Sequence, residues 1–484
     1  MSIGFNIEDG VLVKYDGTDS VVTIPEGVEK IGERAFCGNK NVAEVIMPDS
    51  VVSIEKDAFE ECIKLKTVKF SGKLERIESS AFRKCKALTE AVLPETLSYI
   101  GYSAFAGCAK LKVISCESEN IQMDSNPFDG FSDVKCKLLY DKNGMLIFAG
   151  TLFDYIGEAE DVEVPHGVKR IMNNAFAVSG WGETSKVKSV ILPETVVEVG
   201  YRAFATCQKL KNFSAPAGVT YGTAAFEGCK GLADDNGFII IDNNALGYFG
   251  DSEIITIPDG VHTLSDKLFE VSYGTNPGNK KITEVNLPTS LKKIGSQVFS
   301  GCASISTLKI PSGVTEIGSN AFSGCSALVS IDIPDSVVEI GDGAFTNCAN
   351  LKQINLPSSV QKLGTGLFAG CKSMADENGY VINNNTIYAY YGAERNIVIP
   401  EGIEGITHYT FNKAGIITIQ LPSTLKNLGS AFQGCEMLEE IVVPEGVEVI
   451  YEHTFSGCVR LSRVVLPSTI TRIGGGAFKG CEAL

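Results

Sequence analysis

Phenylalanine recurs along this chain at an interval that is most often 23 residues. Seventeen copies, from Phe36 to Phe478, each stand near the end of a cassette of the form I-x-I-P-x-x-V-x-x-I-G-x-x-A-F-x-x-C. One cassette carries Ile331, Ile333, Pro334, Val337, Ile340, Gly341, Ala344, Phe345 and Cys348 at those places. A fixed period of this length marks a repeat architecture, in which one small unit is stacked many times. The period is undisturbed from Phe36 through Phe59, Phe82 and Phe105 to Phe128, and again from Phe299 to Phe368.

Ahead of each Pro, residues such as Leu351, Ile354 and Leu356 before Pro357 alternate with polar ones. That alternation predicts a strand with one buried and one wet face. Pro ends the pairing because it has no N–H to donate. The V-x-x-I-G that follows is expected to turn the chain, its Gly supplying backbone angles that side chains resist. A-F-x-x-C is too short for more than about one helical turn, so Ala, Phe and Cys are expected to fill the interior of a coil. One cassette cannot cover its own apolar side, and stacking on neighbours supplies the core.

The joined consensus, L-x-x-I-x-L-P followed by V-x-x-I-G-x-x-A-F, resembles the BspA-like leucine-rich repeats, a bacterial and protist type in which Pro takes the place usually held by Asn. The likeness runs through nearly the whole chain. Ser71 and Glu117 depart from it at the Pro position, and Cys116 at the apolar position before it. The resemblance implies a repeat solenoid, a leucine-rich-repeat right-handed β/α superhelix. It also implies a parallel β-sheet on the concave face, with short turns or 3-10 helices on the other. A role in adhesion or protein interaction is implied too, with a place at the cell surface or in secretion.

The period breaks in three places. Phe128 and Phe176 are 48 residues apart, whereas Phe226 and Phe269, like Phe368 and Phe411, are 43 apart. The inserts carry Asn143 and Gly144, Asn236 and Gly237, or Asn378 and Gly379 beside short apolar runs, and Asp9 and Gly10 repeat the theme near the N-terminus. Asn-Gly and Asp-Gly in that setting are hairpin signals. β-Hairpin insertions are therefore expected to open four blocks, 1–135, 136–232, 233–374 and 375–484, of a single elongated array, 1–484, of about 17 rungs. Residues 179–184 and 272–278 are expected to be surface loops. The sequence stops at Leu484, where the next strand would begin, so it is expected to be part of a longer chain.

The formal charge of -16 argues against nucleic acid or an anionic membrane as partner, since either would need clustered Lys and Arg. No apolar stretch approaches the length of a membrane span, and acidic residues interrupt positions 1–20 too early for a signal peptide. Twelve of the fifteen cysteines stand three residues after the repeat Phe. A position set by the repeat is a packing position, so these are expected to be buried free thiols acting as small hydrophobes. His166, His262, His408 and His453 lie apart and are expected at the surface, without a zinc-ligand spacing. The glycines from Gly364 to Gly370 and from Gly474 to Gly480 only faintly resemble phosphate loops, because each falls on a repeat position. The stretch from Asp234 to Gly237 begins like a calcium loop but lacks the distal Glu, which favours a hairpin turn. With no hydrolase, metalloprotease or P-loop signature, the chain is expected to be no enzyme and to use no cofactor or metal.

Function then rests on surface. In each strand the residues two and four before the Pro position are expected to point outward. At the two-before position Ile46, Val92, Ile191, Val398, Val442 and Val465 are apolar, where Lys309, Asp332 and Asn355 are polar. Exposed apolar patches mark contact surfaces, although β-branched side chains also simply suit strands. A second group is aromatic: Phe153, Tyr155, Tyr248, Phe249, Tyr388, Tyr390 and Tyr391 in the hairpins, with Trp181 in its loop. These either bind protein or sugar or pack onto the solenoid. The resulting reading is a non-enzymatic binding or adhesion scaffold that engages a protein or glycan through its extended surface. The alternatives are an intracellular structural or assembly protein, in keeping with reduced cysteines, and the binding region of a longer multidomain protein.

Overall fold

A computed structural model describes residues 4–116, 118, 121–123, 126–128, 139–177, 185–269 and 281–484. The expected loops at 179–184 and 272–278, and the departure at Glu117, lie outside the described residues. The chain divides into two units, Met1–Leu232 and Ala233–Leu484. Each is a solenoid of rungs.

The strand ahead of Pro forms as its alternation predicts. In the first unit Val21–Thr23, Glu44–Ile46 and Thr67–Lys69 pair in parallel and in register. In the second, Thr307–Lys309, Ser330–Asp332 and Gln353–Asn355 do the same. The central residue of each points inward, so that Val45, Ile331 and Ile354 are buried. This is the proline-side sheet.

A second sheet corrects the reading of V-x-x-I-G as a turn. Lys30–Ile31, Ser53–Ile54, Arg76–Ile77 and Tyr99–Ile100 are short strands that pair in parallel from rung to rung. Their isoleucines are buried, which the proline-side sheet alone would not achieve. Gly429 apart, the Gly that follows does not supply a left-handed backbone. At Gly318 and Gly341 a Cβ would lie 2.4 Å from the backbone nitrogens of Ser296 and Ser319 in the preceding rung. Close approach of neighbouring rungs, not torsion, selects Gly there.

The left-handed residues flank Phe instead. Arg34, Asp57 and Ser80, two places before it, have φ of 59°, 56° and 58°, and Gly38, Glu61 and Lys84, two places after, have 71°, 59° and 59°. This geometry is unfavourable for a side-chain-bearing residue, and inter-rung hydrogen bonds offset the cost. The N–H groups of Arg34, Phe36 and Gly38 donate to the carbonyls of Lys56, Ala58 and Glu60 at 3.1, 2.7 and 2.7 Å. The third side of each rung is thus also a ladder. Among the described residues no α-helix is present, and 3-10 helices occur at Lys230–Leu232 and Lys372–Met374.

Inside, the repeat phenylalanines stack. Phe299, Phe322 and Phe345 follow one another with centroids 5.3 and 5.4 Å apart and planes within 12° and 2°. Beside this column the cysteines do more than fill space. The thiols of Cys62, Cys85 and Cys348 donate to the carbonyls of Phe36, Phe59 and Phe322 in the preceding rung, each at 3.1 Å. Burial pushes Cys207 up to about 11 and Cys62, Cys302, Cys435 and Cys458 up to about 12. The S–H donor therefore persists at neutral pH.

Each hairpin starts a fresh stack. The strands Val11–Tyr15, Thr151–Tyr155, Asn244–Tyr248 and Thr386–Tyr390 pair in parallel with the first short strand of the rungs that follow. Tyr15, Tyr155, Tyr248 and Tyr390 lie 5.0, 5.0, 5.3 and 5.3 Å from Phe36, Phe176, Phe269 and Phe411. In each of these hairpins the register slips by one residue at a β-bulge, and the extra residues of the second and fourth, Phe153 and Tyr388, face away from Tyr155 and Tyr390. They meet the last ring of the series before, Phe128 at 5.6 Å and Phe368 at 5.2 Å, edge to face.

Candidate functional site

The two-before position is outward in both units. Val92 and Val398 are each 63% exposed, Val442 54%, Ile191 47% and Val465 36%. Ile46 is half-buried, and Trp181 lies outside the described residues. The register decides which of these become neighbours. Ile46 sits between Thr23 and Lys69, Val92 is paired with Ser115, and Ile191 sits between Glu163 and Ser214. Each of these three stands alone among polar residues.

Three others share one sheet, two of them as direct neighbours. Asn396–Val398, Thr418–Gln420, Glu440–Val442 and Arg463–Val465 form one four-stranded parallel sheet. Val398 lies opposite Gln420, and Val442 lies opposite Val465. The outward column is thus Val398, Gln420, Val442 and Val465. A polar column runs beside it, in which Arg463 and Glu440 approach to 3.4 Å.

Tyr390 is no free arm. Its ring packs against Tyr380 and Phe411, and its hydroxyl donates to the Glu394 carbonyl at 3.4 Å. What remains accessible of it helps to line a groove of about 740 Å³ shared with Val398. The groove runs between the turn of the last hairpin, Asp376 to Gly379, and the strand Asn396–Val398. Burial first, then the Tyr390 and Asp376 charges, pushes Tyr380 up to about 12, and burial also raises Tyr390 and Tyr391. These phenols stay protonated donors. An equivalent groove of about 780 Å³ lies between the turn from Asp141 to Gly144 and the strand Asp161–Glu163.

Sequence reasoning singled out the hairpin aromatics and missed the grooves. A signal was present in paired glycines. A Cβ on Gly144, Gly237 or Gly379 would fall 2.5, 2.6 or 2.3 Å from the nitrogen of Gly157, Gly250 or Gly392, so each pair pins the hairpin base. The Asp of each turn is also committed. Asp376 Oδ1 accepts the N–H groups of Asn378 and Tyr380, and Asp234 Oδ1 those of Asn236 and Phe238. His408, expected at the surface, is half-buried and accepts the Ser430 N–H at 3.1 Å. Among the described residues no three His, Cys, Asp or Glu side chains are placed to share a metal ion, and no helix is long and apolar enough to cross a membrane.

Rungs with a Pro-terminated strand, an Ile-Gly strand and a Phe turn define a leucine-rich-repeat solenoid. The BspA type leucine rich repeat region family matches residues 15–135, 148–276, 278–390 and 377–484, and the chain belongs to that family. Among solved structures it is similar to a leucine rich repeat protein of T. pallidum, at 25% identity over 48% of this chain and 90% of that one, with a TM-score of 0.26. It is also similar to a leucine-rich repeat protein from Bacteroides ovatus, at 22% identity over 100% of this chain and 90% of that one, with a TM-score of 0.23. A leucine rich cell surface protein from Faecalibacterium prausnitzii is 25% identical over 94% of this chain and 89% of its own, with a TM-score of 0.22. No curated protein matches the sequence.

Proposed function

We propose that the chain is a non-enzymatic binding scaffold that engages a protein through the outer face of its proline-side sheet, centred on Val398, Val442 and Val465. One observation carries this reading: aliphatic side chains 63%, 54% and 36% exposed share one sheet face, at positions where most other rungs hold polar side chains. Nothing in the packing demands them, since the inward residues Ile397 and Ile441 already fill the core. An aliphatic column surrounded by polar groups suits the apolar centre and polar rim of a protein contact. A glycan surface would favour aromatic platforms, and this column has none. Val92, Ile191 and Ile46 extend recognition to other rungs as isolated contacts, and the charge of -16 favours a partner that is not anionic.

The test is a binding screen of the intact chain against panels of matrix proteins and glycans, repeated with Val442→Glu and Ile191→Glu. Loss of a protein ligand with Val442→Glu supports the reading. Binding that survives both changes places recognition elsewhere.

A second reading, assembly within a reducing compartment, draws on the free thiols. Cys62, Cys85 and Cys348 are buried donors to backbone carbonyls. Thiol titration of protein isolated from its host separates the two, since extensive oxidation would count against a reducing compartment.

A further inference from the structure

We propose that the strand Asn396–Val398 has an open backbone edge, facing the groove beside the last hairpin, that receives an extended basic segment of a protein partner as an added β-strand. This deepens the scaffold reading and rests on it.

The edge follows from the hydrogen bonds. The Arg395 carbonyl accepts the N–H groups of Ile417 and Thr418 at 2.7 and 3.2 Å, and the Ile399 N–H donates to the Gln420 carbonyl at 3.0 Å. Alternate residues of a strand direct their backbone groups to opposite edges. Asn396 and Val398 therefore direct theirs away from Thr418–Gln420, toward the groove they line. No backbone hydrogen bond to either residue is present on that side among the described residues.

The opposite bank of the same insertion is treated differently. There the strand Gln353–Asn355 also ends its sheet, but the carbonyls of Ile354 and Leu356 accept the side-chain amides of Asn383 and Asn384 at 2.9 and 3.1 Å. The chain closes one edge with its own side chains and leaves the other unpaired. An unpaired edge is a ready template for another strand, and proteins that do not use such an edge usually cover it.

Charge and shape select the occupant. The groove carries Asp376, Glu377 and Glu394 against Lys372, so it is net acidic. Val398, 63% exposed, would lie beside the outward residues of an added strand. A segment alternating aliphatic and basic residues satisfies both, with backbone bonds supplying affinity and alternate side chains supplying specificity.

The test uses the full chain and the synthetic peptide acetyl-(Lys-Val)3-amide. Its controls are the same peptide N-methylated on alternate backbone nitrogens, which keeps its charge, and an acidic (Glu-Val)3 version. Calorimetry and amide hydrogen exchange are the readouts. The expected result is binding of the first peptide, with exchange at Asn396 and Val398 slowed about tenfold or more. Binding should fall about tenfold or more for the N-methylated peptide and for Val398→Pro, which deletes the edge N–H but no bond to Thr418–Gln420. Val398→Thr, which keeps the N–H, should cost less than about threefold. If Val398→Pro fails to fold, the N-methylated peptide on native protein carries the same test. Absence of binding, or unchanged exchange at Asn396 and Val398, overturns the proposal. If exchange there is unchanged but Val442→Glu abolishes binding, strand addition is wrong while the sheet-face reading stands; if neither position matters, both fail.

Discussion

Two sheets of the second unit share a backbone plan and differ on their wet side. Thr307–Lys309, Ser330–Asp332 and Gln353–Asn355 present Lys309, Asp332 and Asn355 outward, whereas the sheet from Asn396–Val398 to Arg463–Val465 presents Val398, Gln420, Val442 and Val465. Their inward residues are interchangeable: Leu308, Ile331 and Ile354 in one, Ile397, Ile419 and Ile441 in the other, all buried. The fold constrains the inner set and leaves the outer set open. A difference confined to the outer column is therefore not demanded by the packing of the interior.

The largest test of that claim is inside. Phe322→Ala and Phe432→Ala, one in each region, should each lower stability by about 3–5 kcal/mol, read as shifts of the denaturant midpoint. Clearly unequal losses would show that the two interiors are not equivalent. The next effect is alkaline. Buried thiols such as Cys302 in one region and Cys435 in the other ionise well above the ordinary value of 9.0, at about 12. Unfolded chains lose these protons first, so stability is full below pH 9 and declines as pH rises toward the folded value. Each thiol contributes about 1.4 kcal/mol per pH unit across that window. A denaturation midpoint that stays flat from pH 7 to 10.5 would contradict protonated, buried thiols.

Removing a single thiol is milder. Cys348→Ala and Cys435→Ala should each cost about 1–2 kcal/mol, from a small cavity and the lost S–H donor to the Phe322 or Phe411 carbonyl. Those carbonyls keep a backbone donor, the N–H of Cys325 and of Ala414, which holds the loss down. Smallest is the outer swap. Lys309→Val and Val442→Lys should move stability by no more than about 0.5 kcal/mol. A larger shift would mean that the outer column is structural after all.

Much of this was legible in the residues because period and side-chain chemistry point the same way. Phe at a fixed interval forces rings to stack, and the alternation ahead of Pro357 fixes which side of a strand is wet. The second sheet was hidden because a segment such as Glu339–Ile340 is too short to show alternation and ends beside Gly341, which reads as a turn. Close approach and torsional freedom both select Gly, and only coordinates separate them at Gly341. The left-handed geometry at Asp57 and Ser80 has no residue signature, since neighbouring rungs hold it in place. Of the surface candidates, Val398, Val442 and Val465 could be named but not grouped. The strand pairing does the grouping: it sets Val442 directly opposite Val465 and places the Gln420 strand between them and Val398.

The ladders on all three sides of a rung join it only to the rung before and the rung after. Tension applied along a block would therefore load these contacts row by row, as a strip of stamps parts at its perforations, instead of sharing the force among all of them. Such a block would lengthen in increments of one cassette, most often 23 residues, yielding gradually rather than snapping.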